Sequence, residues 1–240
     1  MVLQTLYLKG ATDMNNDMLF FGAIAFYLCA VLVSYKLFGR TGLYAYTVIS
    51  VILANIQVCK NVDIFGLATT AGNVLYAASF LVTDILSEKY GKPAAKKAVH
   101  LGIFTTVVFM IGVQGLLWFV PNETDIMSTA MDQLFGLVPR VALASIVGYA
   151  CSQTVDVALY HMIWNKSGGN KKHLWLRNCG STFLSQAVDT VVFTSIAFYG
   201  VYPNPVFFSI LWTTYFFKVL VAIFDTPFAY LARKMTVREE

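Results

Sequence analysis

The sequence predicts an all-α, polytopic transmembrane helical bundle. Three observations carry that reading. Of the 240 residues, 58% are hydrophobic and only 12% charged, against about 25% charged residues in a soluble domain. The apolar residues gather in runs close to the roughly 20 that a helix needs to cross a bilayer. Lys and Arg concentrate in alternate loops between those runs, the pattern that fixes membrane orientation. The runs are too long and continuous for barrel strands. Each must be a helix, because a segment in lipid has to satisfy its own backbone hydrogen bonds. A single membrane domain over residues 1–240 follows.

Seven candidate spans appear in order. The first, 18–37, opens behind Asp13 and Asp17 rather than a basic stretch, which argues against a cleavable signal peptide. The second, 42–59, closes with Asn55, Gln57 and Lys60. The third, 64–86, is the least apolar; it holds Thr69, Thr70, Gly72, Asn73 and Asp84, and is expected to be tilted, broken or buried. Four more follow at 98–120, 139–163, 178–200 and 206–231. Lys36, Arg40, Lys89, Lys92, Lys96, Lys97, Lys166, Lys171, Lys172, Arg177, Arg233, Lys234 and Arg238 fall on one side of this layout. Lys9, Lys60 and Arg140 fall on the other, with Glu123, Asp125 and Asp132. The basic side is cytoplasmic, which places the C-terminus inside and the N-terminus outside. The net charge of +4 is therefore a topology signal, and no nucleic-acid partner is expected. Cys29, Cys59, Cys151 and Cys179 form no CxxC pair and read as small packing residues.

The chemistry lies in polar residues that a membrane disfavours. A carboxylate at the centre of a membrane helix costs roughly 2.5–3.5 kcal/mol on insertion scales, yet Asp84, Asp156, Asp189 and Asp225 all fall in or near spans, with Lys218. One lysine cannot neutralise four acids, so a polar cavity is expected. The blander reading is a fixed ion pair between Lys218 and one aspartate. An internal echo sharpens the picture: Ser152-Gln153-Thr154-Val155-Asp156 matches Ser185-Gln186-Ala187-Val188-Asp189 at an offset of 33, in consecutive antiparallel spans. Gln and Asp three residues apart share a helix face. Level counting sets Gln153 beside Asp189 and Asp156 beside Gln186, a diagonal Gln/Asp cage. Amide and carboxylate together suit a planar heterocycle with an amidine- or guanidine-like edge. Tyr76 and Phe80 share a face with Asp84 and Glu88 and offer stacking surfaces. Asn55 is weighed evenly between a ligand contact and an interhelical bond; Glu88 and Lys89 read as solvated loop residues. His100, His161 and His173 sit at cytoplasmic ends as interfacial residues. No GxxxxGK[ST], HExxH or GxSxG is present, so neither an enzyme, a metal site nor a cofactor is indicated.

Several blocks together resemble the VUT family of queuosine precursor transporters. They are Ala54-Asn55-Ile56, Lys60, Ile64-Phe65-Gly66-Leu67, Ala71-Gly72 and the run Phe80-Leu81-Val82-Thr83-Asp84-Ile85-Leu86-Ser87-Glu88-Lys89-Tyr90-Gly91-Lys92. Ser152-Gln153, Asp156, Ser185-Gln186, Asp189-Thr190, Phe193, Ile196-Ala197-Phe198 and Phe217-Lys218-Val219 are similar too, so the likeness runs from about residue 50 to 231. The resemblance implies a six-helix core like that of the substrate-binding subunits of energy-coupling-factor vitamin transporters, with the first span an added N-terminal helix. It also implies uptake of 7-deazaguanines: 7-cyano- or 7-aminomethyl-7-deazaguanine, or queuine. The expected partners are this small molecule and the lipid bilayer of the cytoplasmic membrane, with homo-oligomerisation left open. The rival readings are another purine-like or vitamin solute, and a binding subunit driven by a separate ATPase module.

The charge asymmetry gives a test. A reporter that fluoresces only in the cytoplasm, fused after Glu240, should be bright; a dark but fully expressed fusion would reverse the orientation.

Overall fold

In a computed structural model the chain is described over residues 16–135, 139–166, 174–200 and 203–237. Lys9, Asp13, Lys171, Lys172, His173 and Arg238 lie outside the described residues. The order is α1 (Asn16–Gln57), β1 (Asn61–Ile64), β2 (Leu67–Thr70), α2 (Gly72–Tyr90), α3 (Lys92–Leu117), α4 (Ser128–Phe135), α5 (Pro139–Lys166), α6 (Leu174–Phe198) and α7 (Asn204–Lys234). The fold is all-α apart from one small hairpin. Helices overlap the predicted spans, most of their ends displaced by a few residues in one direction or the other.

α1 is two helices folded back at Gly39, whose φ of 57° and ψ of −138° lie in a region closed to residues with a Cβ. The fold is visible in its hydrogen bonds. The Tyr46 hydroxyl donates to the Tyr27 carbonyl at 3.0 Å, and the Gln57 amide to the Tyr27 hydroxyl at 2.6 Å. In a straight helix Tyr27 and Gln57 would stand about 45 Å apart. The two arms thus match the expected spans 18–37 and 42–59.

The third span is broken and buried, two of the forms expected of it, but its helix starts later than the expected bound. Its first residues form an antiparallel hairpin with Ile64 opposite Leu67, and the helix begins only at Gly72. Phe65 and Gly66 form the turn, both at positive φ (53° and 71°), the signature of a type I′ reversal. Strands of four residues are too short to show as alternation among apolar neighbours. The turn is held by the Phe65 N–H, which donates to Asp17 Oδ1 at 2.7 Å, and by Phe65 stacking on Phe217 at 6.3 Å.

α2 is the central helix. It packs against α1, α3, α5, α6 and α7, and Ala78, Phe80, Leu81, Val82 and Leu86 are completely buried. α5 and α6 form the most extensive helix pair. Around this core the usual distribution of polarity is inverted. Phe26, Phe38, Phe104, Ile111 and Trp212 are exposed, while Asp84, Gln153, Asp156, Arg177, Asn178, Gln186, Asp189, Lys218 and Asp225 are buried. Apolar outside and polar inside is the arrangement lipid demands. Among the described residues α1, α3 and α7 are the helices long and apolar enough to cross a membrane. Three of the four cysteines, Cys29, Cys59 and Cys151, are exposed rather than packed inside, on the same outward-facing apolar shell.

Gly39→Ala should destabilise the protein by about 1–3 kcal/mol, the cost of forcing a Cβ into this backbone conformation. Melting in detergent measures it; an unchanged midpoint would mean that the hairpin does not depend on Gly39.

Candidate functional site

α2, α5, α6 and α7 enclose a column of polar side chains. Counted at 1.5 Å per residue from the helix ends at Tyr90, Lys166, Leu174 and Lys234, it divides into three levels. The outermost, roughly 21–24 Å from those ends, is centred on Asp189. Its Oδ1 accepts from the Tyr76 hydroxyl at 2.6 Å and from Ser152 Oγ at 3.2 Å; its Oδ2 is ion-paired with Lys218. The Lys218 ammonium also lies 4.9 Å from the centre of the Tyr76 ring. One carboxylate thus ties together all four helices. Gly148 makes room for it: a Cβ there would stand 3.1 Å from Asp189 Oδ1.

Further in, Asp156 Oδ1 accepts from Ser185 Oγ at 2.9 Å, and Thr83 Oγ1 stands 3.5 Å from Oδ2. The echoed sequence has become a reciprocal contact: Ser152 of the first copy meets Asp189 of the second, and Ser185 of the second meets Asp156 of the first. Each serine also bonds back to its own helix, Ser152 to the Tyr149 carbonyl and Ser185 to that of Thr182. The expected diagonal cage is therefore closed by serines, one residue away from the glutamines. The glutamines diverge. Gln153 reaches α2, with its amide nitrogen 3.4 Å from Ser79 Oγ and its oxygen 3.4 Å from Thr83 Oγ1. Gln186 is fully buried, and neither its amide nitrogen nor its oxygen has a partner among the described residues.

At the end of the column nearest the C-terminus Glu88 Oε2 accepts from Arg177 at 2.6 Å and from the Tyr160 hydroxyl at 2.8 Å, while Arg233 lies 3.5 Å from Oε1. The Arg177 guanidinium stacks over Trp164 at 4.2 Å. Lys89 donates to the carbonyls of Arg233 and Met235 at 2.7 and 3.0 Å. The reading of Glu88 and Lys89 as solvated loop residues is corrected here: both belong to the end of α2 and clamp α5, α6 and α7. Arg177, read only as a topology charge, is completely buried. The signal lay in Tyr160 and Trp164, four apart and therefore stacked on one helix face, ready to receive a cation.

Of the nine sequence-predicted site residues, Tyr76, Gln153, Asp156, Asp189 and Lys218 come together with Gln186 along this column. Asp84 lies lower, and neither of its oxygens has a partner. Phe80 is wholly buried, edge-to-face with Tyr76 at 5.9 Å. Asn55 stands apart: its amide bonds the Val51 carbonyl of its own helix at 2.8 Å.

Residues 70–232 match the family described as "Putative vitamin uptake transporter". A "Probable queuosine precursor transporter" of Bacillus subtilis (strain 168) is 43% identical over 226 residues, 94% of this chain and 97% of that protein. A "Queuosine precursor transporter" of Escherichia coli (strain K12) is 27% identical over 173 residues, 71% of this chain and 75% of that protein. A "Probable queuosine precursor transporter" of Haemophilus influenzae is 27% identical over 135 residues, 56% and 54% of the two chains. No solved structure matches significantly.

Lys218→Met leaves Asp189 buried without its cation and should cost about 3–5 kcal/mol. The double variant Lys218→Met/Asp189→Asn should recover part of that loss. Melting the wild type, both single variants and the double variant gives the coupling directly; additive losses would show that the pair contributes no interaction of its own.

Proposed function

We propose that this chain, which belongs to the vitamin uptake transporter family, imports a queuosine precursor across the cytoplasmic membrane. Its solute would be a 7-deazaguanine: 7-cyano-7-deazaguanine, 7-aminomethyl-7-deazaguanine or queuine. The names of the relatives support the solute class. The observation that carries the site is Gln186, an amide fully buried in the bundle with both its donor and its acceptor unmatched. An unmatched buried amide costs about 1–3 kcal/mol, and a guanine-like edge supplies the complementary pair. In this reading the edge meets Gln186 and the adjacent Asp156, the Gln153 amide shifts from α2 to join them, and Tyr76 offers an aromatic face. Asp189 and Lys218 close the outer end.

The proposed six-helix core is the second arm of α1 with α2, α3, α5, α6 and α7; the first arm of α1, before Gly39, is the addition. The C-terminus lies in the cytoplasm, and the chain carries its solute without chemical change. A vitamin is the second reading, favoured by the family's description.

Purified protein in liposomes should take up 7-cyano-7-deazaguanine without any ATPase partner. Calorimetry against 7-deazaguanines, guanine, biotin and riboflavin should show binding of the first group alone. Gln186→Ala should weaken that binding tenfold or more, corresponding to about 1–3 kcal/mol. Tight binding of a vitamin, or uptake only with an added ATPase module, would overturn the proposal.

A further inference from the structure

Between the outer ion pair and the cytoplasmic clamp lies a group of buried acceptors without donors. Asp84 is 1% exposed, and neither carboxylate oxygen has a partner. Asp225 is completely buried; its Oδ1 accepts from the Asn178 amide at 2.6 Å, while its Oδ2 is unmatched, as is the Asn178 amide oxygen. The ionisable groups acting on Asp84 include Glu88 on its own helix, Asp156 and Tyr160 on α5, Cys179 on α6 and Asp225 on α7. The nearby cations are engaged elsewhere. Arg177 and Arg233 lie on Glu88, Lys89 on two carbonyls, and Lys218 on Asp189. The cleft that reaches Asp84, walled by Ile85, Leu174, Ala229 and Ala232 together with the clamp residues Glu88, Lys89 and Arg233, is too narrow for a water molecule.

Two carboxylates cannot both stay ionised in such a place. Each would be stripped of water with at least one carboxylate oxygen unbonded, a penalty of several kcal/mol per ion. A proton removes the conflict without needing space: it neutralises one acid and turns it into a donor for an unmatched oxygen. A multivalent metal fits poorly, because among the described residues no three metal-ligating side chains converge.

We propose that Asp84 and Asp225 form the proton site that drives uptake, so that the transport proposed above is proton symport. This rests on that transport reading. A proton taken from the outer side binds a carboxylate oxygen as an O–H. It crosses with the solute and is released to cytoplasmic water when the cleft between α2 and α7 widens. Only that O–H bond forms and breaks, and no redox partner is involved. Pro227, two residues beyond Asp225, removes one backbone donor from α7 and weakens the helix where the cleft would have to open.

The test uses full-length protein in liposomes with 7-cyano-7-deazaguanine as the probe and a pH-sensitive dye inside. Three readouts are taken: solute counterflow with no gradient, accumulation under an acid-outside gradient of one unit, and internal acidification on adding solute. Wild type should show all three. Accumulation should approach about tenfold for one proton per solute, and a protonophore should abolish it. In Asp84→Asn and Asp225→Asn the ratio of gradient-driven uptake to counterflow should fall to about one, with no acidification. Active counterflow with no response to the pH gradient, or accumulation driven by sodium instead, would overturn the proton site and leave the transport reading standing. Variants that keep the wild-type ratio would also overturn it. Absence of counterflow in folded wild type would overturn the transport reading and this inference together.

Discussion

An ammonium ion inside a lipid-facing bundle must find a carboxylate, and the rest of the interior is arranged around the answer to that demand. Lys218 lies sixteen residues from the C-terminal end of α7, too deep for its side chain to snorkel to water. It pairs with Asp189 of α6, and the second oxygen of that carboxylate recruits Tyr76 from α2 and Ser152 from α5. Four helices thus share one charge-assisted network, the strong kind of hydrogen bonding. A bundle in lipid has no hydrophobic force between its helices, so a network of this kind must define which faces meet.

The repeated Ser-Gln-x-x-Asp segments show how this arrangement is made and where it departs from symmetry. Antiparallel copies of one short motif place each serine opposite the other copy's aspartate. Had both halves found equivalent partners, both glutamines would be satisfied. They are not equivalent, because α2 lies against one copy and supplies Ser79 and Thr83 to Gln153, while nothing supplies Gln186. Aspartates that face each other as equals in sequence also end differently, one with a cation and one with hydroxyls alone. A symmetric motif in an asymmetric bundle leaves one buried amide unmatched.

Membrane helices are highly legible in this sequence, since lipid imposes both length and polarity on each span. The echo at 33 residues identified the right faces, because Gln and Asp three apart on a helix must point the same way. The pairing within those faces was less legible. α5 runs to Lys166 and α6 starts at Leu174, each longer than hydropathy suggests; at this register serine meets aspartate. Hydropathy missed Glu88 and Arg177 for a related reason. It scores charges near span ends as solvated, whereas aromatic neighbours such as Trp164 can bury a guanidinium there. The hairpin between Asn61 and Thr70 was hidden because its apolar residues continue the span's composition while its backbone reverses at Phe65 and Gly66.

The order of the levels has a mechanical consequence. Ion pairs stand at both ends of the polar column: Asp189 with Lys218 at one, and Glu88 with Arg177 at the other, nearest the C-terminus. The unmatched groups, Gln186, Asp84, Asp225 and the Asn178 oxygen, belong to the same column. Breaking a buried ion pair is costly because it strands a charge, so neither end opens without compensation. Filling the unmatched groups stabilises whatever rearrangement presents them, and its contribution offsets part of the cost of losing a pair. Two strong closures with an unsatisfied interior between them therefore favour opening one end at a time. This follows from where the partners are missing, and it requires no change in the helices themselves beyond a shift of α7 against α2.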